Sequence, residues 1–336
     1  MKSRTIVALL WLAMYGIVNV QGENRRQTEF LLPLKVYADH LIVVQGGIGE
    51  FGERNLLIDT GAYPSAIDWG VAQKLKLQVK QGQSRALGAS IAAGATLVPE
   101  VEVGPLRAQN LPVVVEDLSR LSTELGIRVD ALIGMDVLAR SSFRIDYIDK
   151  EVAFGAPTHL AYSTPIEARK AMACVAMQVS GRVVHLLVDT GAARTVLFAD
   201  RVPWLAGQPV MEKSYHGLAG RLVLTPVNAK EVRLGDARIP AEDVFVSDVT
   251  NMHEYPFDGV MATWGAHFTR IAFDFEHDIF SWEMEQKRPP RQSTARSVLT
   301  ATSQQGQPGI AVADLPGGSG EDTSKDSLTG AGLESH

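Results

Sequence analysis

Residues 55–68 read NLLIDTGAYPSAID, and residues 185–198 read HLLVDTGAARTVLF. Both stretches begin with a run of aliphatic residues, which is typical of a buried strand, and the run leads directly into an aspartate. A carboxylate beside a buried strand is costly unless other groups hold it. We therefore consider Asp59 and Asp189 candidates for a chemical role rather than for turns in solvent.

The two stretches belong to a longer internal repeat. VEVGPLRAQNLPVVVEDL at 101–118 aligns with VRLGDARIPAEDVFVSDV at 232–249, and VDALIGMDVLARSSFRIDY at 129–147 aligns with FDGVMATWGAHFTRIAFDF at 257–275. With the aspartate stretches, three landmarks recur in the same order at offsets of 128 to 131 residues. A unit of about 130 residues is too long for a solenoid repeat and has the size of a lobe. The sequence therefore predicts a duplicated unit with one such aspartate in each copy.

Short segments rich in β-branched residues dominate both units, bounded by Gly, Pro or Asn. Helical patterns are brief and fall at 69–77, 118–125, 135–140 and 196–205. Many short strands with few helices predict an all-β architecture. The composition is 46% hydrophobic and 21% charged with a formal net charge of −6, which is ordinary for a globular protein and gives no sign of a nucleic-acid partner.

Chance does not explain two copies of Asp-Thr-Gly-Ala, each after aliphatic residues and each followed three positions later by a hydroxyl, Ser65 or Thr195. Over roughly residues 30–285 the sequence resembles the aspartic proteases, specifically their retropepsin-like branch. Each half also has the family's second landmark, two aliphatic residues and a small one ahead of a short helix, as Leu132-Ile133-Gly134 and Val260-Met261-Ala262. The resemblance implies two retropepsin-like β-barrel lobes, related by a pseudo-twofold axis, with the active-site cleft between them.

The activity implied by this resemblance is hydrolysis of peptide bonds by a water molecule activated between Asp59 and Asp189. Two carboxyl groups held close together cannot both ionise cheaply, so they share one proton. The ionised partner then acts as general base on the water, and the protonated partner donates to the scissile carbonyl. The implied partner is an extended peptide or protein substrate. No cofactor or metal is implied, and a monomer suffices because one chain has both aspartates.

The neighbours of the two aspartates are expected to support them. In the family, the threonine hydroxyls of the two triplets bond across the lobe boundary. The glycines let backbone N–H groups approach the carboxylates, where a side chain would block them. By resemblance the supporting residues are Thr60, Gly61, Ser65, Thr190, Gly191 and Thr195. Alanine follows each triplet and offers no hydroxyl to lower a carboxyl pKa, so we expect a pH optimum less acidic than that of a gastric-type enzyme.

The family also closes a β-hairpin flap over its substrate. The glycine-containing candidates are Arg85–Leu97, with Gly88 and Gly94, and Tyr215–Leu224, with Gly217 and Gly220. They lie at comparable distances after each triplet, and glycine suits a hairpin tip as it suits any turn. The first stretch has no tyrosine, and Tyr215 in the second either contacts the substrate or packs.

One departure from the family pattern is Ala262, which stands where Gly134 stands in the first half. If that position requires a positive φ, the second lobe is strained there. Together with the unclear first flap, this departure favours an alternative, a peptide-binding module on the same scaffold that has lost catalysis. The two complete triplets favour the enzyme. The other duplicated acids are expected at turns and caps, and they are Asp130, Asp146, Asp258 and Asp274.

The ends of the chain differ from the repeated units. Lys2 and Arg4 precede an apolar run at 6–18, which is shorter than the ~20 residues needed to span a bilayer. Residues 1–22 are therefore predicted to be a secretory signal peptide, with an N-terminal membrane anchor through residues 5–20 as the alternative. We expect an exported protein, periplasmic or secreted. The predicted domains are an N-terminal lobe at 23–157, a C-terminal lobe at 158–286 and a disordered, low-complexity tail at 287–336.

Overall fold

The computed structural model of the chain describes residues 29–284, with gaps at 87–88, 156–158, 170–171, 206–212, 218–219, 228, 250–251, 253–254 and 265. The expected signal peptide at 1–22 and the expected tail at 287–336 lie outside the described residues. So does the predicted lobe boundary between residues 157 and 158. Within the described part of the chain, no helix combines the length and the apolar character needed to cross a bilayer.

Strands dominate the described residues, as the short apolar segments predict. In the first half they are β1 (Phe30–Tyr37), β2 (Leu41–Ile48), β3 (Phe51–Ile58), β4 (Ala66–Asp68), β5 (Lys80–Ala86), β6 (Ala89–Val103), β7 (Leu106–Glu116), β8 (Ala131–Ile133), β9 (Phe143–Asp146) and β10 (Glu151–Phe154). In the second half they are β11 (Tyr162–Pro165), β12 (Glu167–Arg169), β13 (Met172–Val179), β14 (Arg182–Asp189), β15 (Thr195–Phe198), β16 (Lys213–Gly217), β17 (Gly220–Pro226), β18 (Val232–Leu234), β19 (Ala237–Arg238), β20 (Val244–Ser247), β21 (Gly259–Ala262), β22 (Phe268–Asp274) and β23 (Ile279–Met284). The all-β prediction is confirmed.

Helices are few and short in the part of the chain that the structure describes. The α-helices α1 (Trp69–Lys74), α2 (Ser119–Leu125) and α3 (Met135–Leu138) begin within one residue of their predicted starts, so those three predictions are confirmed. The helix predicted at 196–205 is wrong. Its first residues belong to β15, which is fully buried between β20 and β21, and only Pro203–Leu205 form a single 3-10 turn.

The strands form two sheets. One has 13 strands in the order β11-β23-β22-β9-β10-β1-β2-β3-β8-β4-β7-β6-β5, and β2 also pairs with β6. This extra pairing closes β2, β3, β8, β4, β7 and β6 into a barrel. The other sheet has 10 strands, in the order β16-β17-β20-β15-β21-β14-β13-β18-β19 with β12 beside β13.

The second sheet repeats the first barrel with its two long strands broken. By the repeat offset, β17 and β18 together stand where β6 stands, and β19 and β20 stand where β7 stands. The β13–β18 pairing therefore corresponds to the β2–β6 pairing that closes the first barrel. The predicted pair of homologous β-barrel lobes is confirmed by this correspondence.

The two halves meet at an antiparallel pairing of β9 with β22. Arg144 pairs with Ala272 there, and these two residues occupy equivalent positions in the repeat. A residue that pairs with its own equivalent lies on the axis relating the two halves. The strand order β11-β23-β22-β9-β10-β1 is accordingly symmetric about this point.

The first strand connects this central sheet to the first barrel. Residues Phe30–Pro33 of β1 pair with β10, whereas Leu34–Tyr37 of the same strand pair with β2. One continuous strand therefore belongs to both parts of the structure, and its backbone hydrogen bonds fix their relative position.

Aromatic side chains pack beneath the central sheet. Phe143 and Phe273 stack with their ring centroids 4.8 Å apart. Phe280 packs at a tilt against Phe273 and stacks on Trp282. All four side chains are buried. Burial of each such side chain contributes roughly 1.5–3 kcal/mol, so this cluster holds together the strands that surround the pseudo-twofold axis.

Candidate active site

Each candidate catalytic aspartate lies at the carboxyl end of a central strand. Asp59 follows β3, and its backbone N–H donates to Ile133 O of the parallel neighbour β8 at 3.0 Å. Asp189 ends β14 in register with Ala262 of the parallel neighbour β21. The backbones of the two half-buried aspartates are therefore fixed in the same way by the small-residue landmark of their own lobe.

The threonines of the two triplets bond across the lobe boundary. The Thr60 hydroxyl donates to Val188 O at 2.8 Å and accepts from Thr190 N–H at 3.0 Å. In return the Thr190 hydroxyl donates to Ile58 O at 2.9 Å and accepts from Thr60 N–H at 3.1 Å. Both threonines are fully buried, so these four bonds face no competition from water and join the two aspartate loops directly.

Each aspartate also lies against the glycine of the opposite triplet. A Cβ built on Gly61 would lie 2.5 Å from Asp189 Cγ, and one built on Gly191 would lie 3.0 Å from Asp59 Cγ. Within its own triplet, Gly61 N–H donates to Asp59 Oδ1 at 2.9 Å and Gly191 N–H donates to Asp189 Oδ1 at 2.7 Å. The glycines thus leave room for the opposite carboxyl group while their N–H groups bind the carboxyl group of their own lobe.

The Asp59 and Asp189 carboxyl groups face each other closely enough for each to shift the pKa of the other. Burial raises the pKa of Asp59, and hydrogen bonds from Gly61, Asp189 and Ala62 oppose that rise. Burial raises the pKa of Asp189 further, and the negative charge of Asp59 adds to the effect. The pair therefore titrates as one unit in which one carboxyl group keeps its proton above the usual aspartate range.

Ser65 is bound to a residue that the sequence reasoning missed, Asp136. The Ser65 hydroxyl donates to Asp136 Oδ1 at 2.6 Å and accepts from Gly134 N–H at 2.9 Å, and Ser65 N–H also donates to Asp136. Asp136 went unnoticed because Trp264 stands at its position in the second half, so a search for duplicated acids passes over it. The signal available in the sequence was an acid two residues after the landmark glycine.

The second lobe tolerates Ala262 without the backbone strain considered above. Gly134 has φ −98°, and Ala262 is not among the residues with positive φ. The first lobe requires glycine at this position because there is no room for a side chain, and not because of the backbone conformation. A Cβ on Gly134 would lie 2.4 Å from Ala62 O. Ala262 N–H donates to the Thr195 hydroxyl at 3.2 Å, which matches the Gly134–Ser65 bond of the first lobe.

Both flap candidates contain hairpins. In the first, Ala86 pairs with Ala89 where β5 turns into β6, and Gly88 lies outside the described residues. Gly94 does not lie near the tip of this hairpin, and a role for it in binding substrate remains a prediction. It lies inside β6, and a Cβ there would lie 2.3 Å from Val79 Cγ1 and 3.0 Å from the Trp69 ring, so this glycine is required by packing.

The second hairpin joins β16 to β17. Gly217 pairs with Gly220 next to its turn, and Tyr215 lies in β16 in register with Leu222. The two hairpins occupy equivalent positions in the repeat, and a role in substrate binding remains a prediction for both.

The duplicated Asp130 and Asp258 hold the strands that lead to the aspartates. Asp130 accepts from Asn55 N–H at 3.2 Å, and Asp258 accepts from His185 N–H at 2.9 Å. Each also binds a neighbouring arginine side chain. Asn55 and His185 lie four residues before the candidate catalytic positions, so these acids anchor the start of the same strand segment in both lobes.

Asp146 and Asp274 have turn-capping geometry. Asp146 Oδ1 accepts from the N–H groups of Ile148 and Asp149 at 2.9 Å each, and Asp274 Oδ1 accepts from Glu276 and His277 at 3.1 and 3.2 Å. These are the turn roles expected from the sequence. Among the residues that the structure describes, no group of three or more His, Cys, Asp or Glu side chains is arranged to hold a metal ion.

A family model described as aspartyl protease matches the chain twice, over residues 44–137 and 175–262. A search of curated proteins finds no match. The two matched segments contain both Asp-Thr-Gly-Ala stretches and both small-residue landmarks, and they cover more than half of the chain. The chain belongs to the aspartyl protease family.

Proposed function

We propose that the chain is an aspartic endopeptidase, which hydrolyses peptide bonds with a water molecule activated between Asp59 and Asp189. The observation that carries the proposal is the meeting of the two Asp-Thr-Gly triplets, which lie 130 positions apart in the sequence. Their threonine hydroxyls bond across the lobe boundary, and each aspartate carboxyl group lies against the glycine of the opposite triplet. Membership of the aspartyl protease family supports it. Both carboxyl groups come from one chain, so the proposal requires no second copy.

In this mechanism the pair holds one proton when substrate binds. The ionised carboxylate removes a proton from water as the water oxygen bonds to the scissile carbonyl carbon, and the protonated carboxyl group donates to the carbonyl oxygen. The resulting tetrahedral species collapses when the amide nitrogen takes the proton of the pair and the C–N bond breaks. As the carbonyl re-forms, one hydroxyl of that species gives its proton to the other carboxylate, which restores the singly protonated pair. The N–H groups of Gly61 and Gly191 hold the carboxyl groups in place during these transfers.

We propose an extended peptide segment as the substrate. The cleft expected from the family resemblance would follow the boundary between the lobes, and the β5–β6 and β16–β17 hairpins occupy equivalent positions in the two lobes. An extended chain presents its backbone groups along such a cleft, so that main-chain contacts bind it and side-chain subsites select it.

The test compares wild type with Asp59→Asn and Asp189→Asn on an unstructured protein substrate. We expect cleavage by wild type and none by either variant, because an amide cannot take a proton from water. Asp236→Asn is the matched control, since Asp236 is exposed in the turn between β18 and β19. If wild type binds peptides with micromolar affinity but never cleaves them, the alternative of a non-catalytic binding module replaces this proposal.

We also propose that the protein is exported. Lys2, Arg4 and the apolar run at 6–18 support this proposal. Intact-mass measurement of the protein isolated from its native cells tests it. A mature chain that begins after Gly22 supports a cleaved signal, whereas an intact N-terminus in the membrane fraction supports the anchor.

A further inference from the structure

The two lobes hold their aspartate loops by different means. We call residues 59–65 the first loop and residues 189–195 the second loop. The first loop is bound to the start of α3, where Met135 N–H donates to Ala62 O at 3.0 Å. Asp136 adds its bonds to the hydroxyl and the N–H of Ser65. Five bonds therefore connect the first loop with residues 134–136.

The second loop lacks most of these attachments. Trp264 stands at the position equivalent to Asp136, so that position has no carboxylate that could bind Thr195 as Asp136 binds Ser65. No bond joins Thr263 N–H to Ala192 O in the described part of the chain, although the equivalent bond holds the first loop. The Thr263 hydroxyl is instead bonded to the Tyr147 hydroxyl at 2.7 Å. Among the described residues, the bond from Ala262 N–H to the Thr195 hydroxyl is the one first-loop attachment that the second loop retains.

Arg194 supplies a different attachment for the second loop. Its guanidinium carbon lies 5.8 Å from the centre of the Phe245 ring, and its Nη1 lies 3.6 Å from Asp243 Oδ1. Asp243 ends the short 3-10 turn Ala241–Asp243, and its other oxygen accepts from His267 Nε2 at 2.7 Å. The Asp243 side chain is only 14% exposed, so water screens this ion pair less than a surface pair.

Asp243 thereby links the second loop to the turn that follows β21. The first lobe has proline at the position equivalent to Arg194, and Pro64 has no charge with which to form such a link. Each lobe thus has one carboxylate that binds its aspartate loop, but the two carboxylates come from different places in the repeat.

We propose that Arg194 is a positioning residue, which through Asp243 holds the second loop so that Asp189 faces Asp59. The expected effect on the rate of cleavage rests on the proposed function. The expected effect on the position of the second loop rests only on the contacts of Arg194 and Asp243. Loss of Arg194 would let the second loop shift relative to the first. Because displacements on the order of 1 Å at a reacting centre cost up to about 100-fold in rate, the effect is expected in kcat more than in KM.

The kinetic test uses Arg194→Ala, Arg194→Lys and Asp243→Asn, with Arg238→Ala as the control. Arg238 is also an arginine of the second lobe in an ion pair, with Glu231 at 3.5 Å, but it is exposed. We expect Arg194→Ala and Asp243→Asn to lower kcat about 10- to 100-fold with KM within about twofold. Arg194→Lys should recover part of the loss because its charge can still reach Asp243. A raised KM at unchanged kcat, or no change, would overturn the proposal.

A second readout does not depend on activity. Deuterium uptake is compared between peptides covering residues 189–195 and residues 59–65 in the same protein. Arg194→Ala and Asp243→Asn should raise uptake in the second loop alone, and Asp136→Asn should raise it in the first loop alone. Equal changes in both loops would overturn the proposal. A wild-type protein that cleaves no peptide defeats the proposed function but leaves this comparison valid, and if Arg194→Ala does not fold, the other two variants decide.

Discussion

Gly61 and Asp189 come from different lobes, yet a Cβ on Gly61 would lie 2.5 Å from Asp189 Cγ. The reciprocal pair, Gly191 and Asp59, has a looser fit of 3.0 Å. The glycine of each triplet therefore serves the opposite carboxyl group as well as its own, and the two contacts are not equally tight.

The first prediction concerns this inequality. Gly61→Ala should displace the Asp189 carboxyl group and lower kcat by about 100-fold or more, because real Cβ atoms do not approach other atoms so closely. Gly191→Ala should have a smaller effect on kcat, since the Asp59 carboxyl group needs to move only a few tenths of an ångström. Steady-state kinetics on one peptide measures both variants. Gly52→Ala is the control, because a Cβ there meets nothing within 4 Å. Equal kcat values for Gly61→Ala and wild type would contradict the geometry.

A second prediction concerns the cross-lobe threonines. Thr60→Val leaves Val188 O and Thr190 N–H buried without their partner. An unsatisfied buried polar group costs roughly 1–3 kcal/mol, so the free energy of unfolding should fall by about 2–4 kcal/mol. Urea-induced unfolding measures this loss. Thr60→Ser retains the hydroxyl and should lose much less, and a Thr60→Val variant as stable as wild type would refute the assigned role of the hydroxyl.

The third prediction is the pH dependence of cleavage. Burial raises the pKa of both carboxyl groups, and that of Asp189 more. Activity requires one proton on the pair, so it is lost at low pH when both groups are protonated and at high pH when both are ionised. Because both pKa values are raised, the bell-shaped profile of kcat/KM should lie above the pH 2–3 optimum expected if both pKa values were strongly depressed. An optimum at pH 2–3 would show that the carboxyl groups are not desolvated as described.

The fourth prediction concerns stability rather than activity. A carboxyl group whose pKa is raised on folding stabilises the protein below its unfolded pKa, and this contribution is lost as the pH rises through the folded pKa. Asp189 should therefore destabilise the fold at neutral pH. Asp189→Asn removes that cost, and the free energy of unfolding at pH 7 should rise by about 1 kcal/mol or more, with a smaller gain at pH 4. Asp236→Asn, at an exposed position, should leave the free energy of unfolding unchanged at both pH 7 and pH 4. A less stable Asp189→Asn variant at pH 7 would rule out this account.

Much of the fold was predictable because the duplication supplies each landmark twice. The aliphatic run before Asp59 and its copy before Asp189 both become central strands, and α1, α2 and α3 appear where their patterns indicate. The helix at 196–205 failed because Val196 and its neighbours are buried between two strands, and a short apolar run does not distinguish a buried helix from a buried strand.

The residues that escaped prediction are those in which the two halves differ. Asp136 has no acidic counterpart, and Arg194 stands opposite a proline, so a search for duplicated features passes over both. The structural reason for Gly94 could not be predicted because a turn and a tight side-chain contact both favour glycine, and only the positions of Val79 and the Trp69 ring separate the two explanations. Sequence repetition identifies what the lobes share, whereas their specialisation depends on contacts between distant residues.

The strand β1 has a consequence for any maturation of this protein. Its residues Phe30–Pro33 form the backbone ladder with β10, and the residues that follow pair with β2. A processing protease that cut within β1 would expose the edge of β10 and remove the strand pairing that joins the central sheet to the first barrel. Any zymogen-type activation must therefore cleave upstream of Phe30, and an active mature form should retain this strand at its N-terminus.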